Sequence, residues 1–111
     1  MIKSLIIAVD FDDTLFTNNY PDIGEPIWNT INWCKKQKSH GNRLILWTCR
    51  EGYELSMAVE ACKQVGVIFD AINEDIKDDS YTYSIPSRKI LADIYVDDKA
   101  LNTKDLLYYQ I

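Results

Sequence analysis

Acidic side chains follow two apolar runs of this sequence and form its most distinctive chemical pattern. Asp10 and Asp12 come directly after the apolar run at residues 4–9, and Asp97 with Asp98 follows another near the C-terminus. A carboxylate can attack phosphorus to form an aspartyl-phosphate, and a second one nearby can face the leaving group. Because a carboxylate and a phosphate dianion repel each other, this chemistry needs a cation. The pattern predicts phosphoryl transfer at a Mg²⁺ site.

The elements predicted around these acids alternate between strand and helix. Apolar runs predict buried strands at residues 4–9, 43–47, 67–72 and 90–96, the third being the weakest. Apolar residues at helical spacing predict one helix that begins at residues 25–26 and ends near Gly41, and a second over residues 51–65 that ends before Gly66. A short helix is predicted at residues 103–109, and loops at residues 11–25 and 73–87.

This alternation predicts a single α/β domain for the 111 residues, built as a three-layer, doubly wound, mostly parallel sheet. In such sheets ligands bind at the carboxyl ends of the strands. Asp10 with Asp12, then Thr48, then Asp97 with Asp98 each follow a predicted strand. We therefore expect all five side chains to meet at one edge of the sheet.

The composition excludes several classes of protein. A net charge of -5 argues against nonspecific nucleic-acid binding. No apolar run approaches the roughly 18 residues of a membrane span, and three cysteines without close pairing favour the cytoplasm. None of the four glycines is spaced as in a phosphate-binding loop or a dinucleotide fingerprint. A single histidine leaves out histidine-based triads and most zinc sites.

Three segments resemble motifs of the haloacid dehalogenase-like (HAD) superfamily. Residues 6–15, IIAVDFDDTL, resemble its first motif, in which four apolar residues precede D-x-D-x-T. Residues 44–48, LILWT, are similar to its second motif, and residues 94–98, IYVDD, resemble its fourth. The resemblance spans most of the chain and implies an HAD-like phosphatase of phosphate monoesters.

The resemblance also implies roles for the residues that match. Asp10 would be the nucleophile and a metal ligand. Asp12 would be the general acid and then the base that activates water, with its backbone carbonyl on Mg²⁺. Asp97 and Asp98 would hold the metal directly or through water, and Thr48 would bind the transferring phosphoryl group.

The lysine of the third motif has two candidates. Lys89 precedes the last predicted strand, as the family pattern requires. A straight strand would put Lys89 about 26 Å from Asp97 at about 3.3 Å per residue, so it serves only if residues 89–93 fold back. Lys77, in the loop after the third strand, is the alternative, and Arg88 ranks behind it.

The spacing of the motifs is similar to that in members of the superfamily that have no cap domain. Residues 17–24 leave room only for a short flap in its place. An open site would accept a small or a bulky phosphorylated substrate, or a second copy of the chain could cover it. The resemblance also implies that Thr14 holds the loop after the first strand, and Thr14 is counted among the candidate substrate-binding residues. Arg50, two residues past Thr48, is predicted to contact a second anionic group of the substrate. A non-catalytic HAD-like scaffold and a phosphotransferase with the same site are the alternative functions.

Overall fold

A parallel sheet forms the centre of the protein. The computed structural model describes residues 4–77, 89–100 and 102–108, and within these residues the central sheet has four strands. The elements in chain order are β1 (Ile6–Val9), β2 (Phe16–Asn19), β3 (Asp22–Pro26), α1 (Trp28–Ser39), β4 (Arg43–Leu46), α2 (Gly52–Gln64), β5 (Ala71–Ile72), β6 (Ile94–Val96) and a 3₁₀ helix (Thr103–Tyr108). The order in the sheet is β5-β4-β1-β6, and every neighbouring pair is parallel. The predicted α/β class is confirmed.

β1 lies between β4 and β6 and all four of its residues are apolar and buried. Ile6 pairs with Arg43 and Val9 with Leu46 on one side, and Val9 pairs with Val96 on the other. Because neighbouring parallel strands run in the same direction, their last residues lie side by side. The carboxyl ends of β1, β4 and β6 therefore meet at one edge of the sheet.

α1 and α2 pack on the same face of the sheet. Successive side chains of a strand point to opposite faces, and Ile7 and Val9 of β1 join a buried cluster with Ile31 of α1 and Cys62 of α2. Burial of such apolar side chains contributes most of the stability of a core, at about 25 cal/mol per Å². This face carries the main core of the protein.

The opposite face has a smaller apolar cluster formed by Ile6, Ala8, Ile45 and Ile90, with Tyr95 packed against it. None of these side chains comes from a helix of the described part of the chain. The sequence predicts helices on both faces, and the two described helices lie on one.

A β-hairpin replaces most of the loop predicted at residues 11–25. β2 and β3 pair antiparallel, and Thr17 Oγ1 accepts a hydrogen bond of 2.8 Å from Glu25 N. Because β3 extends through Pro26, α1 begins at Trp28 rather than at residues 25–26. The predicted helix ends are confirmed: Gly41 and Gly66 follow the helices with φ of 86° and 88°, where a side chain would be strained.

The last strand is shorter than predicted. β6 begins at Ile94, and residues 90–93 are not a strand, because this segment folds over the side chain of Tyr95. The Tyr95 hydroxyl donates to Ile90 O, and Ala92 N donates to that hydroxyl at 3.3 Å. β5 is likewise reduced to Ala71–Ile72, and the C-terminal helix is a 3₁₀ helix.

No helix in the described ranges is both long enough and apolar enough to pass through a membrane. Arg88 and the rest of residues 78–88 lie outside the described part of the chain.

Candidate active site

Three carboxylates meet at the carboxyl edge of the sheet. Asp10 follows β1, and Asp97 and Asp98 follow β6. Asp10 N donates to Val96 O at 2.9 Å, which joins the two strand ends directly. One carboxylate oxygen from each aspartate lies within 4.8 Å of the other two. Acids 87 residues apart in sequence thus converge, as the strand pattern predicts.

The environment of Asp10 disfavours its charged form. The pKa of Asp10 is raised from 3.8 to about 6, mainly by burial and to a smaller extent by the negative charges of Asp97 and Asp98. Hydrogen bonds from the Phe11 backbone and the Thr14 side chain act in the opposite direction. A cation bound among the three carboxylates would favour the ionised form of each, because an opposite charge within a few ångströms stabilises it.

These carboxylates fit a small divalent cation. Mg²⁺ binds oxygen ligands at about 2.0–2.1 Å, so ligands on opposite sides of the ion are about 4 Å apart. One carboxylate oxygen from each of Asp10, Asp97 and Asp98 lies within 4.8 Å of the other two, close to this spacing, and carboxylate oxygens are hard ligands of the kind that Mg²⁺ prefers. Asp12 does not contribute its carboxylate to this cluster. Its predicted part in metal binding therefore rests on its backbone carbonyl.

Thr14 is positioned against the nucleophile candidate. It is 6% exposed, and its Oγ1 donates to Asp10 Oδ2 at 3.1 Å. Thr14 N, Leu15 N and Phe16 N all donate to Phe11 O, which closes the chain into a tight turn after β1. The bond from the Thr14 side chain to Asp10 ties this turn to the end of β1, and the predicted role of Thr14 in holding the loop stays a prediction. Direct substrate binding by Thr14 does not follow, because the buried hydroxyl is already bonded to Asp10.

Thr48 lies in a short loop between β4 and α2 that Asn73 holds in place. Thr48 N donates to Asn73 Oδ1 at 2.8 Å, and Asn73 Nδ2 donates to Arg50 O at 3.4 Å. Thr48 Oγ1 accepts from Arg50 N at 3.1 Å. A hydroxyl that accepts one bond can still donate its own proton. Thr48 therefore keeps the donor that its predicted contact with a phosphoryl oxygen requires.

Arg50 differs most from its prediction. Its side chain is 1% exposed and binds Asp12 bidentately, with Nε to Oδ2 at 2.9 Å and Nη2 to Oδ1 at 2.8 Å. Nη2 also donates to Asp22 O at 2.7 Å, and Nη1 donates to Pro21 O at 2.9 Å and Glu54 O at 3.3 Å. These bonds use all five N–H donors of a guanidinium. The prediction that Arg50 contacts the substrate is wrong, because it has no donor left for a second anionic group.

Asp12 is consequently fixed beside the acid cluster rather than within it. The hydrogen bonds that Asp12 accepts from Arg50 raise the pKa of Arg50, so the guanidinium stays charged. The Arg50 Cζ also lies 4.9 Å from the ring centroid of Phe11 and 5.1 Å from that of Tyr20. The Asp12 side chain remains 22% exposed.

Lys89 was expected to serve only if residues 89–93 do not run on as a straight strand, and the structure meets this condition. Residues 89–93 do not continue β6, and Lys89 Nζ lies 6.0 Å from the ring centroid of Tyr95. The Tyr95 ring contacts Trp47 edge to face at 5.5 Å, next to Thr48. The segment thus folds back over the sheet. The phosphoryl contact of Lys89 stays a prediction, as does that of the alternative, Lys77, which is exposed.

The chain is similar to a solved structure of a conserved protein coded by a locus of Bacteroides thetaiotaomicron. The two chains are 36% identical, the match covers 96% of this chain and 88% of that chain, and the TM-score is 0.77. This chain belongs to the family of that conserved protein. No protein-family model and no curated protein matches it. Membership in the family supports the α/β fold and leaves the chemistry to the residues of the site.

Two site residues were not predicted from the sequence in their observed roles. Asn73 follows β5 at the same edge of the sheet as Asp10, so the rule that places ligands after strands would have found it. The contact of Arg50 with Asp12 has no local signal, because the two residues are 38 positions apart.

Proposed function

We propose that the protein is a Mg²⁺-dependent phosphatase that hydrolyses phosphate monoesters through an aspartyl-phosphate on Asp10. The convergence of Asp10, Asp97 and Asp98 is the observation that carries this proposal. When bound there, Mg²⁺ would neutralise the charges that keep a carboxylate and a phosphate apart. The residues that would hold it are these three, with the backbone carbonyl of Asp12.

The reaction has two steps at phosphorus. In the first, an oxygen of Asp10 bonds to phosphorus, the ester P–O bond breaks, and the leaving oxygen takes a proton from Asp12. In the second, a water oxygen bonds to phosphorus, the bond to Asp10 breaks, and Asp12 takes the proton of the water. Thr48 would donate its hydroxyl proton to a phosphoryl oxygen, and Lys89, or alternatively Lys77, would supply a positive charge.

We further propose that the fold is the doubly wound, three-layer fold of the HAD-like superfamily without a cap domain. The strand order supports this, because the chain moves outward from β1 through β4 to β5 and then places β6 on the other side of β1. In doubly wound sheets ligands bind where the strand order reverses, which here is between the ends of β1 and β6. The acid cluster lies at that position.

The substrate would carry a phosphate monoester on a small molecule or on a bulkier group, since the hairpin is the short segment that takes the place of a cap. The acidic composition disfavours nonspecific binding of nucleic acid, and a second copy of the chain is a candidate to cover the site. Three free cysteines agree with a reducing compartment such as the cytoplasm.

Hydrolysis of p-nitrophenyl phosphate with and without Mg²⁺ tests the proposal. We expect metal-dependent turnover in the wild type and its loss in Asp10→Asn. Asp13→Asn is the matched control, because Asp13 is an exposed turn residue of the same segment.

The same assay separates the alternative functions. A wild-type protein that binds Mg²⁺ without turnover would favour a non-catalytic scaffold. Transfer of phosphate to added alcohols in preference to water would identify a phosphotransferase.

A further inference from the structure

Arg50 binds both carboxylate oxygens of Asp12 while its remaining N–H groups bind backbone carbonyls. We propose that Arg50 is a positioning residue that holds Asp12 in place as the base that activates water for hydrolysis of the aspartyl-phosphate. This inference rests on the proposed function and adds to it the residue that orients the base.

The surroundings of Arg50 fix its guanidinium in one orientation. Pro21 O and Asp22 O belong to the hairpin, and Glu54 O belongs to the first turn of α2. Each of these bonds constrains the planar fork of the guanidinium, which matches a carboxylate bidentately. Two separate elements therefore determine where the carboxylate of Asp12 lies.

The contrast in exposure between the two partners favours a functional role over a purely structural one. The side chain of Arg50 is 1% exposed, whereas that of Asp12 is 22% exposed. A carboxylate has about four lone-pair sites, and a bidentate arginine occupies two of them. Asp12 thus keeps acceptor sites that can face water, two residues from the nucleophile candidate Asp10.

The step that depends on this arrangement is the second one. The water oxygen forms a bond to phosphorus, the bond between phosphorus and Asp10 breaks, and the proton of the water moves to Asp12, which restores the proton that Asp12 gives to the leaving oxygen in the first step. A base must lie within hydrogen-bond distance of the water for this transfer. If Arg50 is replaced, Asp12 is free to rotate away from that position.

Rapid-mixing kinetics with p-nitrophenyl phosphate test this role, because p-nitrophenolate leaves without needing a proton and the first step is then insensitive to Asp12. For Arg50→Gln we expect a burst of about one p-nitrophenolate per active site. A steady rate about 10²-fold below wild type should follow, since a positioned base contributes roughly 10²–10⁴ in rate. Arg50→Lys keeps the positive charge but not the planar fork that binds both carboxylate oxygens, so its steady rate should lie between those of Arg50→Gln and the wild type. Asp12→Asn should show the same burst and slow phase as Arg50→Gln.

The double variant supplies the decisive comparison. Adding Arg50→Gln to Asp12→Asn should change the slow phase by less than about twofold, because residues that act through one another are not additive. Lys38→Gln is the matched control: it breaks an ion pair with Asp70, at 2.8 Å and away from the acid cluster, and should leave both phases unchanged.

Four results would overturn the inference. An equal slowing of the burst and of the steady phase in Arg50→Gln would indicate a structural role for Arg50. The same conclusion would follow if Arg50→Gln lowered the steady rate as much in the Asp12→Asn background as it does in the wild type. A loss of folded protein lowers the burst amplitude and leaves the slow rate per active site intact, so poor folding of Arg50→Gln does not imitate the expected result. If the wild type shows neither burst nor turnover, the proposed function fails together with this inference, whereas an active wild type with an unaffected Arg50→Gln refutes the inference alone.

Discussion

The backbone N–H of Asp10 donates to the carbonyl of Val96 at 2.9 Å. This single bond places the end of the central strand next to the residue that precedes Asp97 and Asp98. The positions of the three candidate metal ligands therefore depend on the pairing of β1 with β6. Most substitutions outside these two strands should leave the ligands close together.

Removing one acid of the cluster should weaken Mg²⁺ binding. Asp98→Asn deletes a negative charge within a few ångströms of the ion, and unit charges at 4 Å interact by about 4 kcal/mol at an effective dielectric constant of 20. We expect at least a tenfold loss of affinity, about 1.4 kcal/mol, measured by calorimetric titration. Asp13→Asn should bind as the wild type does, since asparagine also tolerates the φ of 63° there. Equal affinity of Asp98→Asn and wild type would place the ion elsewhere.

The raised pKa of Asp10 makes metal-free stability dependent on pH. The pKa is about 6 in the folded protein against the ordinary 3.8, so the folded state holds this proton more tightly than the unfolded chain does. The contribution of Asp10 to stability is therefore full below about pH 4 and is lost as the pH rises through about 6. Asp10→Asn, which stays uncharged, should then be more stable than wild type at pH 8 and equal to it near pH 4.

The size of this effect is modest because Asp10 is only half-buried. The full shift corresponds to about 3 kcal/mol at 1.36 kcal/mol per pKa unit, and solvent screening reduces the expected gain to about 1 kcal/mol. Urea unfolding with a chelator present measures it at both pH values. A gain that is the same at pH 4 and pH 8 would mean that the charge of Asp10 is not its cause. Adding Mg²⁺ should stabilise the wild type more than Asp10→Asn, because the variant binds the ion more weakly.

The hydrogen bond from Thr14 should affect the pKa of Asp10, the proposed nucleophile. Thr14→Val removes a donor from Asp10 Oδ2, and hydrogen bonds to charged groups contribute about 1.5–3 kcal/mol. Since this bond lowers the pKa of Asp10, its loss should raise that pKa further, as a carboxyl titration by NMR would show. We also expect kcat/KM to fall by at least about tenfold, in line with that energy. Thr14→Ser keeps the donor and serves as the control, and an unchanged pKa in Thr14→Val would contradict the assignment.

Asn73 should stabilise the loop that carries Thr48. Asn73→Gly keeps the backbone, whose φ is 52°, and loses both side-chain bonds to residues 48 and 50. We expect a loss of about 1–2 kcal/mol in the free energy of unfolding. Asn73→Ala should lose about 1 kcal/mol more, because a side chain other than asparagine or aspartate is strained in this region. Asn73→Asp keeps the acceptor for Thr48 N and should lose least. Urea unfolding that ranks alanine above glycine would show that backbone strain is absent at this position.

Several elements could be predicted because their signals are local. The apolar runs at residues 4–9 and 43–47 predict strands that are buried on both faces, and the acids directly after such runs must lie at the sheet edge. Gly41 and Gly66 predict both helix ends, since few other residues adopt a positive φ. The hairpin was missed because its strands, Phe16–Asn19 and Asp22–Pro26, have only one buried residue between them and carry no apolar alternation.

The sequence by itself determined the α/β class, the parallel strands and the set of acids at their ends. Both the burial of a strand and the residues that follow it can be recognised from a short segment of sequence. Only the tertiary structure decided which charges are available. From the sequence, both Asp12 and Arg50 could contact a ligand. The fold brings them within 2.8 Å of each other, and the remaining donors of Arg50 bind three backbone carbonyls. The partner of a long charged side chain depends on contacts between distant segments, and no local pattern encodes those contacts.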